Sequence, residues 1–199
     1  MGAILILPGL NGSAEGHWQR HWTRDHASAT IVRQVSWSRP VLSQWMQALE
    51  NELERVGEAW LVTHSLGCLL ATHLADRPAA RRVKGAFLVA PCDLERTERF
   101  HPGAIEFGAM PTRPLPFRSL VVGSRDDRYM DFATLRRYAA RWGSELHDLG
   151  HAGHINIESG FGRWREGYQL FSSFAETVEA RSRKGPRSQA ASCVMASSL

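Results

Sequence analysis

Three side chains that can act together in nucleophilic catalysis occur along the chain in the order serine, aspartate, histidine. Ser65 lies in the segment THSLG, Asp127 in SRDDRY and His154 in GHAGHIN. A serine hydroxyl is a weak nucleophile near neutral pH, so an imidazole must take its proton as it attacks. A carboxylate then orients the imidazole and stabilises its protonated form. These residue types therefore predict a nucleophilic serine with a histidine base.

The segments between these residues predict the elements that must position them. Short apolar runs rich in branched residues predict strands at 3–7, 30–35, 59–63, 85–90, 119–123 and 145–149. Apolar residues at helical spacing predict helices over 41–56, 132–142 and 164–178. This alternation predicts an α/β fold with a mostly parallel six-stranded sheet and helices on both faces. Ligands of such folds bind at the carboxyl ends of the strands.

The three side chains each follow a predicted strand, so they are expected at the same edge of the sheet. Ser65 follows the third strand, Asp127 the fifth and His154 the sixth. The order serine, acid, histidine is the one found in the α/β-hydrolase architecture. Asp126 and Asp93 remain alternative acids at this stage, and His151 is the alternative base.

The turn at Ser65 has two interpretations. A serine at a helix start is often an ordinary N-cap, but the downstream aspartate and histidine favour a nucleophile on a sharp strand-to-helix turn. Such a turn requires small neighbours two residues away on each side. Gly67 meets this requirement, whereas the β-branched Thr63 meets it less well.

Backbone amides near Ser65 are candidates for holding the negative charge that develops on a substrate carbonyl. The N–H of Leu66, at the start of the predicted helix, is one donor. The second is expected from the loop after the first strand, where Gly9 permits a close approach. Leu10 N–H is the first choice and Asn11 N–H the second.

The expected substrate pocket includes Asn11 and Trp37. An aromatic wall is predicted, because Trp37, Trp45 and Trp164 could all reach the strand ends. The proline-rich segment 96–118 is predicted to form a long loop with a helical turn near the site.

His17 and His21 have a spacing that suits a pair of metal ligands on a helix. The glutamate of the zinc-protease motif is missing from this segment, however, and a basic side chain stands between the two histidines. We expect capping or surface histidines and no metal.

Composition predicts one domain over residues 1–180 followed by a basic, disordered tail over 181–199. The chain has 199 residues and a net charge of +4. Four basic residues of the tail account for that charge, so residues 1–180 are formally neutral and a nucleic-acid-binding core is not expected. Three cysteines without metal-like spacing and a short apolar N-terminus predict a reduced, cytoplasmic protein that does not enter membranes.

Four segments carry a resemblance to a known family: ILILPGLNGSAEGHWQRHW, VTHSLGC, GSRDDRY and GHINIESGFGRWREG. Over residues 3–180 the chain resembles the small serine hydrolases grouped with retinoblastoma-binding protein nine. The resemblance implies a minimal α/β-hydrolase without a large lid domain. It also implies Ser65 as nucleophile, His154 as base and Asp127 as acid, although Arg128 replaces the proline of the family pattern S-x-x-D-P-Y.

The sequence thus predicts a serine hydrolase that forms an acyl-enzyme and needs no cofactor. Its substrate would be a small ester or amide, and the activity that of a carboxylesterase, a thioesterase, or an amidase or aminopeptidase. The alternative is a non-catalytic binding protein built on the same fold.

Overall fold

Six strands form a parallel sheet in the computed structural model, which describes residues 2–183. The strands are β1 (Ala3–Leu7), β2 (Ala29–Ile31), β3 (Ala59–His64), β4 (Val83–Val89), β5 (Ser119–Gly123) and β6 (Glu145–Asp148). Their order across the sheet is β2-β1-β3-β4-β5-β6, and all five neighbouring pairs are parallel. The predicted six-stranded parallel sheet is confirmed.

Helices connect the strands. They are α1 (Trp18–Asp25), α2 (Leu42–Val56), α3 (Leu66–His73), α4 (Leu94–Phe100), α5 (Phe132–Trp142) and α6 (Arg165–Arg183). Short 3-10 helices occur at Leu74–Asp76, Pro78–Arg82 and Ile157–Ser159. Within residues 2–183, no helix is both long enough and apolar enough to cross a lipid bilayer.

The central strands are continuous apolar runs because both of their faces are covered. Leu5, Leu61 and Leu88 pack in one buried cluster with side chains of α2, α3 and α5. On the other face, Trp22 of α1 stacks on Phe87 of β4, with ring centroids 6.2 Å apart. Burial on two faces removes the polar alternation of a half-exposed strand, which is why these strands could be predicted from composition.

Strand β2 is shorter than the strand predicted over residues 30–35. β2 pairs only with β1, from Ile4–Ala29 to Ile6–Ile31, and the Val32 N–H makes one further bond to the Ile6 carbonyl. Beyond that point the partner strand reaches Pro8, which has no N–H to continue a ladder. The edge strand therefore ends where its only neighbour ends.

The segment 96–118 begins with the end of helix α4 and continues as a loop, in agreement with the predicted long loop with a helical turn. Helix α4 runs through Phe100, and its first turn is capped by the Asp93 carboxylate, which accepts a hydrogen bond from the Arg96 N–H at 3.0 Å. The rest of the segment is loop apart from one isolated bridge. No large lid domain is inserted here, as predicted.

The chain divides into two units, residues 1–164 and 165–199. The described part of the second unit is α6, the last amphipathic helix predicted. Residues 181–183 of the predicted tail form the end of this helix, and residues 184–199 lie outside the described residues.

Candidate active site

Ser65 is the single residue between β3 and α3. Its backbone has φ 54° and ψ −122°, a conformation that costs a non-glycine residue roughly 1–3 kcal/mol. Its side chain makes no capping hydrogen bond to α3. The simple N-cap interpretation is therefore wrong, because the strained turn points the hydroxyl away from the helix.

Two glycines allow β1 to come close to this turn. A Cβ atom on Gly67 would lie 2.2 Å from the Leu7 carbonyl oxygen and 2.7 Å from that of Pro8. A Cβ atom on Gly9 would lie 2.8 Å from the Ser65 Cβ atom. Both positions exclude any larger residue, since the crowding atoms belong to the backbone or to Ser65.

Thr63, which stands where a glycine was expected, fits because it is still within β3. Its hydroxyl lies 3.2 Å from the Phe87 carbonyl oxygen and 3.0 Å from the Cys68 sulfur. The Cys68 thiol in turn donates to the Val89 carbonyl at 3.2 Å. Burial raises the pKa of this thiol well above its usual range, as expected of a packed small side chain.

The three sequence-predicted side chains form one continuous chain of hydrogen bonds. His154 Nε2 lies 2.9 Å from Ser65 Oγ, and His154 Nδ1 lies 2.8 Å from Asp127 Oδ2. The carboxylate can only accept, so Nδ1 carries the hydrogen and Nε2 is free to accept the serine proton. All three residues are buried, whereas His151 is exposed. We call Ser65, His154 and Asp127 the candidate triad.

The two alternative acids make other contacts. Asp126 Oδ1 accepts hydrogen bonds from Ser124 Oγ at 2.6 Å and from the Gly153 N–H at 2.8 Å, and these lower the pKa of Asp126. Asp93 caps α4. Asp126 therefore braces the loop that carries His154, while Asp127 contacts the imidazole directly.

Two backbone amides beside Ser65 are candidates for holding a developing oxyanion. Leu66 is the first residue of α3, so its N–H has no acceptor within the helix. The Asn11 N–H donates to the Trp37 carbonyl at 2.8 Å, which removes this second-choice donor. Leu10 and Leu66 both line the cavity in front of Ser65, so Leu10 N–H remains the candidate for the second donor.

The cavity at the candidate triad has a volume of about 330 Å³. Asn11 lines it as predicted. Further side chains on its wall, which the sequence reasoning did not select, are Thr97, His101, Tyr129, Asn156, Ile157 and Glu158. Thr97 and His101 come from the segment that was predicted to lie near the site.

The predicted tryptophan wall is wrong. Trp37 packs against Gly12 and Trp45 and lines a neighbouring groove instead, and neither Trp45 nor Trp164 lines the cavity. The aromatic wall is formed by Tyr129, whose hydroxyl lies 3.0 Å from His101 Nε2. Tyr129 belongs to the motif SRDDRY, so its position in the motif was the available signal.

His17 and His64 add two buried imidazoles to the site. The ring centroids of His17 and His64 lie 4.9 Å apart, and those of His64 and His154 lie 4.8 Å apart. Burial and the neighbouring His154 lower the pKa of His17 to about 4 and that of His64 well below 6.5. Both rings are therefore neutral at neutral pH.

His17 is the N-cap of helix α1. Its Nδ1 accepts a hydrogen bond from the Gln19 N–H at 3.2 Å at the start of α1. Among the described residues, no three histidine, cysteine, aspartate or glutamate side chains are grouped as a metal site would require.

The low pKa of His17 predicts a loss of stability in acid. The imidazole has a pKa near 6.5 in the unfolded chain and about 4 in the folded one, so between these values the unfolded state binds more protons. Stability then falls as the pH decreases through this window, by about 3 kcal/mol at most for this one group. Urea unfolding of the wild type and of His17→Asn measures this loss of stability, and asparagine is itself a good N-cap. We expect the variant to lose about 2 kcal/mol less than the wild type between pH 7 and pH 4.5; equal losses would contradict the assignment.

Comparisons with known proteins agree with this fold and identify the family of the chain. A family model described as serine hydrolase matches residues 4–173. A protein of Bacillus subtilis named as the hydrolase YdeN is 22% identical over 182 residues, covering 86% of this chain and 95% of its own length. The crystal structure of a YdeN-like hydrolase from Pectobacterium atrosepticum is 34% identical, with a TM-score of 0.78, and covers 88% of this chain and 91% of that one.

A more distant structural neighbour is esterase 2 of Thermogutta terrifontis. It is 15% identical, with a TM-score of 0.65, and the match covers 89% of this chain and 83% of that one. At this identity the likeness shows the shared α/β-hydrolase fold.

Proposed function

The chain belongs to the serine hydrolase family, and on that basis we propose that it cleaves a small ester or amide through an acyl-enzyme on Ser65. The observation that carries this proposal is the unbroken contact from Ser65 Oγ through His154 to Asp127, with distances of 2.9 and 2.8 Å. The strained, non-capping backbone of Ser65 supports it, because strain of this kind is retained where the side chain has a function.

The proposed reaction has two halves. Ser65 Oγ attacks the substrate carbonyl while His154 Nε2 takes the hydroxyl proton, and the Leu66 and Leu10 N–H groups stabilise the oxyanion. His154 then gives that proton to the leaving group, which departs and leaves an ester on Ser65. A water molecule then attacks this ester while His154 takes its proton, the bond to Ser65 Oγ breaks, and His154 returns the proton to Ser65 Oγ as the carboxylic acid product leaves. Asp127 stabilises the imidazolium in both halves.

The two imidazoles beside His154 are neutral, so neither adds a positive charge where this mechanism forms an imidazolium. A positive charge on His17 or His64 would repel the imidazolium of His154, whose ring centroid lies 4.8 Å from that of His64. Burial keeps the rings of His17 and His64 uncharged at neutral pH.

The size of the cavity favours short substrates. About 330 Å³ is at the small end of the range for ligand pockets. Glu158 is the one carboxylate among the described residues lining the cavity, so an amine-bearing substrate belongs in the first panel beside its neutral analogue. One solved structure of the Thermogutta terrifontis esterase 2 has butyrate bound, which makes a butyryl ester a reasonable neutral probe.

Labelling with a fluorophosphonate tests the proposal. We expect one adduct per molecule, located at Ser65 by peptide mass spectrometry, and a burst of product with p-nitrophenyl butyrate. The exposed Ser173 of α6 provides a matched control, because Ser173→Ala should label like the wild type and Ser65→Ala should not label. The rates of hydrolysis of thioester, amide and amine-bearing analogues with the same acyl group then rank the possible activities. If the folded wild type is not labelled, the proposal fails and the binding-protein alternative takes its place.

A further inference from the structure

His64 directly precedes Ser65 and contacts the other end of the candidate triad. Its ring is buried, and its Nε2 atom lies 2.8 Å from the backbone carbonyl oxygen of His154, 90 residues later in the chain. A carbonyl oxygen can only accept, so Nε2 of His64 must carry the hydrogen. The same ring also packs against the imidazole of His154, with centroids 4.8 Å apart.

The segment that carries His154 needs such support, because its backbone is strained. Gly153 and Ile155, on either side of His154, have φ values of 54° and 48°. The left-handed conformation is unfavourable for a β-branched residue such as Ile155 and persists only where surrounding contacts impose it. The Trp18 Nε1–H supplies one of these contacts, donating to the Ile155 carbonyl at 3.0 Å.

A third contact acts on the same peptide segment. The His154 N–H donates to Ser159 Oγ at 3.1 Å. His64 differs from these other supports because it is covalently joined to Ser65. It therefore connects the strand-to-helix turn and the histidine loop by a bond that does not pass through the reacting atoms.

We propose that His64 is a positioning residue, which sets the distance between Ser65 Oγ and His154 Nε2 by donating a hydrogen bond to the His154 carbonyl. The inference rests on the proposed function. A displacement of about 1 Å between nucleophile and base can cost roughly 100-fold in rate, so a bond that ties the two backbones together has a direct catalytic consequence. Because burial keeps the His64 ring neutral, it provides this bond without placing a charge beside His154.

The test compares a variant that keeps the donor with one that loses it. His64→Gln retains an N–H donor at a similar reach, whereas His64→Leu fills the site without a donor. We expect kcat of His64→Leu to fall about 30- to 100-fold with KM within about 2-fold of wild type, and kcat of His64→Gln to stay within about 5-fold. His64→Asn, whose amide is too short to span the contact, replaces the leucine variant if that one does not fold.

A matched control separates positioning from general packing. His73, at the end of α3, is half-buried and takes no part in the site, so His73→Leu should alter the melting temperature and leave kcat within about 2-fold. The proposal is overturned if His64→Leu retains kcat within about 2-fold, or if the glutamine and leucine variants lose activity equally.

A spectroscopic readout is independent of turnover. The proton on His154 Nδ1, held by Asp127, should give a low-field proton resonance in the wild type and in His64→Gln. In His64→Leu we expect it to broaden and exchange faster with water. An unchanged resonance in His64→Leu would overturn the positioning role, whatever the outcome of the labelling experiment.

Discussion

Replacing Ser65 with alanine is expected to lower kcat about 10⁶-fold with little change in KM, because the alanine has no nucleophile. His154→Ala should lower kcat by a similar factor, since the serine hydroxyl then has no base at 2.9 Å. The double variant should be no slower than either single one, because both remove the same step. Initial rates with p-nitrophenyl butyrate, corrected for the uncatalysed reaction, measure all three.

A residual rate above that of water is expected in these variants. The Leu66 and Leu10 amides would still hold the oxyanion while bulk water attacks, which typically leaves about 10³- to 10⁴-fold catalysis. Multiplicative losses in the double variant, or a kcat within tenfold of wild type in Ser65→Ala, would show that Ser65 and His154 do not act in one step.

Asp127→Asn is expected to lower kcat about 10⁴-fold. The asparagine amide can donate to His154 Nδ1, at the position where the carboxylate now accepts at 2.8 Å. The hydrogen of the neutral imidazole then moves to Nε2, which can no longer take the proton of Ser65. Steady-state kinetics from pH 5 to 9 should show this loss at every pH. The unreactive tautomer is a form of the neutral imidazole, so raising the pH does not convert it into the reactive one.

The neighbouring acids supply the controls for this experiment. Asp126→Asn weakens the contacts to Ser124 and Gly153 that brace the histidine loop, so we expect a kcat within about tenfold of wild type. Asp93→Ala removes the cap of α4 and should cost about 1 kcal/mol of stability. A loss in Asp126→Asn as large as that in Asp127→Asn would move the triad acid to Asp126.

The parallel sheet and the positions of the chemistry-bearing residues could be predicted because they depend on local pattern. A strand covered on both faces is a continuous apolar run, as in β3 and β5. Few folds are compatible with such runs when they alternate with segments whose apolar residues have helical spacing. In such a fold the residues that follow the strands meet at one edge. The order along the chain therefore predicts a serine, an acid and a histidine at this edge, and the family resemblance selects Asp127 and His154 among the alternatives.

The remaining features depend on contacts between distant parts of the chain, which no local pattern encodes. The Trp37 carbonyl occupies the Asn11 N–H, and the end of β1 at Pro8 stops its neighbour β2. The choice of Asp127 over Asp126 follows from which of two adjacent carboxylates faces His154 after the loops have packed. The neutral His17 and His64 follow from burial, and burial is a property of the assembled core. Sequence pattern thus predicts the residues of the candidate triad, while tertiary packing decides the lining of the cavity, the hydrogen-bond partners and the protonation states.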